Sequence, residues 1–174
     1  MAFLKSINDK TPRTDGAAFV AETATLIGDV TLGKEASVWY GAVLRADSGR
    51  ITVGDGTNIQ DNAVLHTGTR EDVTVGDNVT IGHSALVHGC TVGDGALIGM
   101  HATVLNRAVV GAGAVVAAGA LVPEGMVVPD GMLAVGVPAR IRGPVRPEVA
   151  QANTLNTEGY VTMAHRHAAE PPLK

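Results

Sequence analysis

Aliphatic residues recur every six positions along most of this chain. They stand at Leu32, Val38 and Leu44, then at Val53, Ile59 and Leu65, then at Val75, Ile81 and Val87. The series continues through Val92, Ile98 and Val104 to Val110, Val116 and Val122. These fifteen sites are all Leu, Ile or Val in a chain that is 45% hydrophobic, an outcome that chance gives on the order of 10⁻⁵ of the time before the choice of register is discounted. The residue two before each site is mostly small, as with Ala36, Ala63, Ala85, Ala96 and Ala114. Side chains alternate along a strand, so a site and the residue two before it face the same way. Each six-residue unit therefore reads as a short strand with two inward residues. A turn rich in Gly, Asp or Asn follows it (VGDG, VGDN, VGAG).

Within each group of three the spacing is six, and between groups it is nine, ten, five and six. Every irregularity thus falls at one corner. Three strands make a triangular coil, and stacked coils make a parallel β-helix, the hexapeptide solenoid. A helical pattern competes poorly against this period and 22 glycines. The 3% aromatic content suits an interior too narrow for rings. The repeat divides the chain into an irregular lead-in at 1–20, a β-helix domain at 21–140 and a C-terminal segment at 141–174. In that last segment GVPARIRGPVRP ends the coils, and Pro147 starts a helix over about 147–168. Val149, Ala152, Leu155, Tyr160 and Met163 are its expected apolar face.

A net charge of -4 gives no electrostatic case for binding nucleic acid or an anionic membrane. The longest apolar run, VVGAGAVVAAGALV, is too short and too rich in glycine to span a bilayer. Cys90 is the single cysteine, which excludes an intrachain disulfide, and its inward position makes it a core residue. The N-terminal stretch MAFLKSINDKTPRTDG has no apolar region of the secretory kind, so a soluble cytoplasmic protein is the expectation.

The residue after each inward site points outward. On the third strand of each coil these residues are Arg45, His66, His88, Leu105 and Pro123. His66 and His88 are then stacked on neighbouring coils, about 4.8 Å apart. His83 falls at the turn between the second and third faces, with Asp61 in the same column and Gln60 beside Asp61. Five nearly extended residues separate His83 from His88, a Cα distance of roughly 15 Å. Zinc–nitrogen bonds are about 2.0–2.1 Å. His66 and His88 can therefore share a metal that His83 of the same chain cannot reach. His83 can complete the site of a neighbouring subunit, which predicts a metal site at a subunit interface and a cyclic homotrimer. His101, His165 and His167 read as solvated polar residues. Arg45 and Asp61 read as an ion pair fixing the interface.

With these residues placed, the sequence closely resembles the gamma-class carbonic anhydrase family of left-handed β-helix proteins. The matching pattern is Arg45-Ala46-Asp47, then Asn58-Ile59-Gln60-Asp61, then His66, His83 and His88. The resemblance implies the left-handed sense of the coil, against the usual right-handed crossover preference. It implies that His66 and His88 of one subunit and His83 of the next bind zinc, with iron or cobalt as alternatives. Gln60 would hydrogen-bond the water or hydroxide on the metal, and Arg45 would pair with Asp47 and with Asp61 across the interface. Asn58 belongs to the same catalytic surround, and Tyr160 and Asn156 resemble C-terminal helix residues that approach the site from above. Three neutral imidazoles leave room for water, whose pKa zinc lowers to about 7, so the implied activity is reversible hydration of carbon dioxide to bicarbonate. Two departures stand out. Ser48 occupies the place of a glutamate found in the best-known members, and the acidic loop that carries their proton-shuttle glutamate is reduced to GTRED, where Glu71 and Asp72 are the only acids.

Other readings of the same solenoid stay open at this point. Hexapeptide acyltransferases share it, end in a similar GVPAR-like segment, and use a histidine as general base on an acceptor with acyl coenzyme A as donor. A thioesterase acting on a coenzyme A ester is a variant of this. A zinc-stabilised trimer serving as a non-catalytic assembly or binding module is the third.

Overall fold

A computed structural model describes residues 2–170. The chain winds about seven coils of a left-handed parallel β-helix, and one C-terminal helix lies along it. All fifteen inward sites, and the residue two before each, are at most 4% exposed. Equivalent strands of successive coils pair in parallel without offset. Ile59 sits beside Ile81 and Ile81 beside Ile98 on the second face. Leu44, Leu65, Val87, Val104 and Val122 form the matching column on the third. Like residues thus stack on like, which packs a thin core densely without rings.

The turns explain their own composition. The aspartate of each VGDG or VGDN turn accepts a backbone N–H from the turn one coil earlier. Lys34 N–H donates to Asp55 at 2.7 Å, Asp55 N–H to Asp77 at 2.8 Å and Asp77 N–H to Asp94 at 2.9 Å. The irregular corner lies where the spacing places it. The long strands Thr25–Leu32 and Val43–Val53 run round it from the third face to the first. Their register shifts after Gly28, whose φ of 79° and close approach to the Ala46 carbonyl leave no place for a side chain.

The ends differ from the expectation. Over the described residues, the stretch expected as an irregular lead-in at 1–20 forms strands. Phe3–Lys5 pairs with Thr25–Ile27 and Phe19–Val20 with Ser37–Val38, both in parallel. The first coil would otherwise leave its backbone groups unpaired, and this segment satisfies them. At the other end Arg140–Pro144 folds back antiparallel on Met132–Val135.

The helix spans Pro147–Ala169, close to the expected range, and of the expected apolar face Val149, Ala152 and Tyr160 line a cleft against the solenoid while Leu155 and Met163 do not. Asn153, Thr157 and Ala164 are buried, whereas Leu155 is 61% exposed and Met163 39%. The helix lies over the outward residues of the second face, which are polar where Asn58 and Thr80 stand, and it packs against Phe19–Val20, Ser37–Val38 and Asn58–Ile59. Asn153 Nδ2 donates to the Gly95 carbonyl at 2.9 Å. Two histidines expected as solvated are engaged. His167 packs among Phe19, Trp39 and Tyr40 and lies 2.9 Å from the Tyr40 hydroxyl, and His165 pairs with Glu35 at 2.5 Å. His101 is exposed in a left-handed turn. Among the described residues no helix is long and apolar enough to cross a membrane.

Candidate metal centre

The third face sets Arg45, His66 and His88 in one outward column, paired residue for residue across adjacent coils. The rings of His66 and His88 meet at 4.9 Å between centroids, and His66 Nδ1 stands 2.9 Å from His88 Nε2. Each ring's other nitrogen meets an oxygen. His66 Nε2 lies 3.2 Å from Asp47 Oδ1, and His88 Nδ1 is hydrogen-bonded to Asn106 Oδ1. Asp47 in turn accepts from Arg45 Nη1 at 2.5 Å.

A neutral imidazole carries one N–H and one lone pair. When both outer nitrogens donate, to Asp47 and Asn106, both facing nitrogens present lone pairs; when His88 Nε2 carries the proton instead, the pair is an ordinary N–H···N hydrogen bond. Two lone pairs at that separation repel unless a cation stands with them. Two nitrogens bound to one tetrahedral zinc at about 2.0–2.1 Å are roughly 3.3 Å apart, within a few tenths of an ångström of the pair seen here. The donor set therefore fits a divalent ion of the zinc, cobalt or iron kind, with outer-nitrogen partners of the type that orient metal-binding histidines.

The electrostatics agree. Burial lowers the pKa of His66, and the nearby Arg45 and His88 add to this against the opposing hydrogen bond that His66 donates to Asp47; the net direction is down, which keeps the ring in its ligating neutral form. For Asp47, burial alone would raise the pKa, but hydrogen bonds from Arg45 and His66 and the Arg45 charge overcome it and hold the carboxyl below its ordinary value.

His83 is elsewhere. It occupies the turn between the second and third faces, its Nδ1 2.9 Å from Asp61 Oδ2 on the coil before. Among the described residues no three His, Cys, Asp or Glu side chains gather at one point. Around His83 lies a polar network beneath the helix. Gln60, 4% exposed, accepts the His83 backbone N–H on Oε1 at 3.2 Å and donates from Nε2 to Asn58 Oδ1 at 3.0 Å. Asn58 and Asn156 both donate to Thr80 Oγ1, at 3.1 and 3.2 Å. The Gln60 amide is thereby fixed, with one N–H left to donate. Tyr160 stacks edge-on against Trp39 at 5.3 Å, its hydroxyl 3.5 Å from His83 Nε2. Burial, then the Asp61 charge, raises its pKa and keeps it a phenol. A cleft of about 290 Å³ opens here, lined by Gln60, His83, Asn156 and Tyr160 together with Leu97, Ile98, Met100, Val149 and Ala152.

The sequence-predicted residues thus fall into two groups. Arg45, Asp47, His66 and His88 are together on the third face; Asn58, Gln60, Asp61, His83 and Tyr160 are together by the second. Arg45 pairs with Asp47 within the chain, and Asp61 faces His83. Asn106 was not foreseen. It is 18 residues from His88 but one coil away, and reading the corner column one position past Leu105 would have found it.

Residues 89–124 match the family model described as bacterial transferase hexapeptide (six repeats). The mitochondrial gamma carbonic anhydrase 3 of Arabidopsis thaliana is 57% identical over 63 residues, 36% of this chain and 24% of that protein. The carbonic anhydrase of Geobacillus kaustophilus is 42% identical over 68 residues, 39% of this chain and 37% of that protein. The matched stretch is thus well under half of either relative. A solved structure of a hexapeptide transferase family protein from Anaplasma phagocytophilum is 42% identical, with a TM-score of 0.88 over 93% of this chain and 96% of that one.

Proposed function

We propose that this chain, which belongs to the hexapeptide transferase family and over 36% of its length is similar to a gamma carbonic anhydrase, is a zinc-dependent carbonic anhydrase working as a homotrimer. His66 and His88 of one subunit and His83 of the next would hold the ion. The observation that carries this reading is the approach of His66 Nδ1 to His88 Nε2 with both outer nitrogens already engaged by oxygens. A zinc ion held there supplies Lewis acidity that brings the pKa of a water molecule to about 7.

The chain's own residues do the rest. Asp47, held by Arg45, orients His66, and Asp61 stands against His83 on the other side. Gln60 presents its remaining N–H to an oxygen of the reacting molecule. The apolar lining of the cleft suits carbon dioxide, which is uncharged and enters without competing for those hydrogen bonds. Water and carbon dioxide give bicarbonate and a proton, and the anion leaves as water replaces it.

The transferase name borne by the structural relative raises a second reading, acyl transfer with a histidine as base. A general base needs a free nitrogen aimed at the acceptor. His66 and His88 have none, since each nitrogen faces an oxygen or the other ring; this reading would have to use His83, whose Nδ1 meets Asp61 and whose ring lines the cleft. Stopped-flow hydration of carbon dioxide by zinc-loaded protein tests the proposal. A rate above buffer that His66→Ala abolishes is the expected result, and no rate above buffer with full zinc occupancy contradicts it.

A further inference from the structure

We propose that Asn106 is a positioning residue that selects the tautomer of His88, placing the proton on Nδ1 and reserving the Nε2 lone pair for the ion. The assignment rests on the metal reading of His66 and His88. Which nitrogen of a ligating histidine is free is set by the hydrogen bond at the other one. For His66 that partner is Asp47. For His88 it is the amide oxygen of Asn106, a neutral acceptor supplied from the next coil.

The corner around Asn106 is built to hold it. Its carbonyl accepts the Gly125 N–H at 2.9 Å, and the next residue, Arg107, donates its backbone N–H to Gly89 at 2.8 Å, so the backbone is fixed from both neighbouring coils. Two glycines border the side chain's path. A Cβ at Gly89 would stand 2.9 Å from Asn106 Oδ1, and one at Gly68 would stand 3.2 Å from Nδ2. The contact at Gly89 cannot be met without a shift of the amide, so glycine there leaves room for Asn106 to reach His88, while at Gly68 the nearer obstacle would be Glu71 Oε2. Arg107 then straps the corner from outside, with salt bridges to Glu71 at 3.0 Å and Glu124 at 2.6 Å.

One alternative network satisfies the same heavy atoms. The Asn106 amide could be turned so that Nδ2 donates to His88 Nδ1, with His88 Nε2–H donating to His66 Nδ1. That arrangement would seal the pair with a hydrogen bond and leave His88 no lone pair for an ion. The two possibilities predict opposite tautomers.

Long-range proton–nitrogen correlation spectra of ¹⁵N-labelled, chelator-treated full-length protein, at a pH where His88 is neutral, read the tautomer directly. Wild type is expected to show Nδ1–H. Asn106→Leu, which has the shape but no acceptor, should shift His88 toward Nε2–H, and Asn106→Asp, which keeps the acceptor, should restore Nδ1–H. Zinc affinity by competition with a chromophoric chelator should fall about 10- to 100-fold in Asn106→Leu and be held in Asn106→Asp. Gly89→Ala should lower affinity with Asn106 still present. An Nε2–H tautomer in wild type, or unchanged tautomer and affinity in Asn106→Leu, overturns the proposal. If wild type shows no His66-dependent zinc binding, the metal reading fails, while the spectra still decide what Asn106 does to His88.

Discussion

Arg107 Nη1 lies 3.0 Å from Glu71 Oε1, and this contact commits the glutamate of the shortened loop to the protein's own scaffold. The other loop acid, Asp72, accepts the Arg50 backbone N–H at 2.8 Å. Glu71 is thus engaged on both oxygens and poorly disposed to carry the proton that the proposed hydration would release, and Asp72 is engaged on one. The hydration rate should therefore rise with buffer concentration at constant pH and plateau only at high buffer, as expected when an external base takes the proton. A rate independent of buffer from the lowest concentration upward would mean that an internal shuttle exists.

The same contact sets a pH window. Hydrogen bonds from the Arg70 backbone N–H, then from Arg107, hold the Glu71 pKa below its ordinary value. A carboxyl with a depressed folded pKa stabilises above its unfolded value, about 4.3 for glutamate, and that contribution is lost as pH falls through the folded value. Protection of the Gly68 amide, which donates to the Glu71 carbonyl at 2.8 Å, should hold from neutral pH down to about 4.3 and then decline. In Arg107→Gln protection at neutral pH should be lower and the decline below about 4.3 smaller, because the folded pKa then lies closer to the unfolded one. Identical profiles for the two proteins would show that the clamp does not order the loop.

Cys90 is inward and 2% exposed, and burial pushes its thiol up to about 12. A thiol reagent should leave it unmodified in the native protein, and modification in denaturant should follow the unfolding transition. Labelling within the mixing time under native conditions would place Cys90 outside the core.

Ile81 stacks between Ile59 and Ile98 and is fully buried. Ile81→Ala should cost about 2–5 kcal/mol. Leu155→Ala should change stability by no more than about 0.5 kcal/mol, because Leu155 is on the exposed side of the helix. Denaturant melts of the two variants check both, and a large loss in Leu155→Ala would mean that the helix packs in the other register.

The coils were legible because each repeats one constraint. Val38, Ile59, Ile81 and Ile98 share a chemistry, since each must fill the same narrow column. The stacking of His66 on His88 followed from the register alone. The first coil was harder to see because Phe3–Lys5 carries too few residues to show a period. Part of the helix face misled for a physical reason. Hydrophobic periodicity assumes an apolar floor, and the floor here includes Thr80 and the Gly95 carbonyl, which select Asn156 and Asn153. Asn106 escaped notice because a lone asparagine in a turn is common, and its role depends on a ring one coil away.

Each proposed metal site is shared, with His66 and His88 from one subunit and His83 from the next. Zinc content of His83→Ala and His88→Ala, purified separately and then unfolded and refolded as an equal mixture, tests it most directly. Each variant alone should bind no zinc at the site. The mixture should recover about a quarter of the wild-type zinc, because a shared site then needs its third face from one variant and its turn from the other, each with a chance of about one half. Full zinc in His83→Ala alone, or no recovery on mixing, would contradict the account.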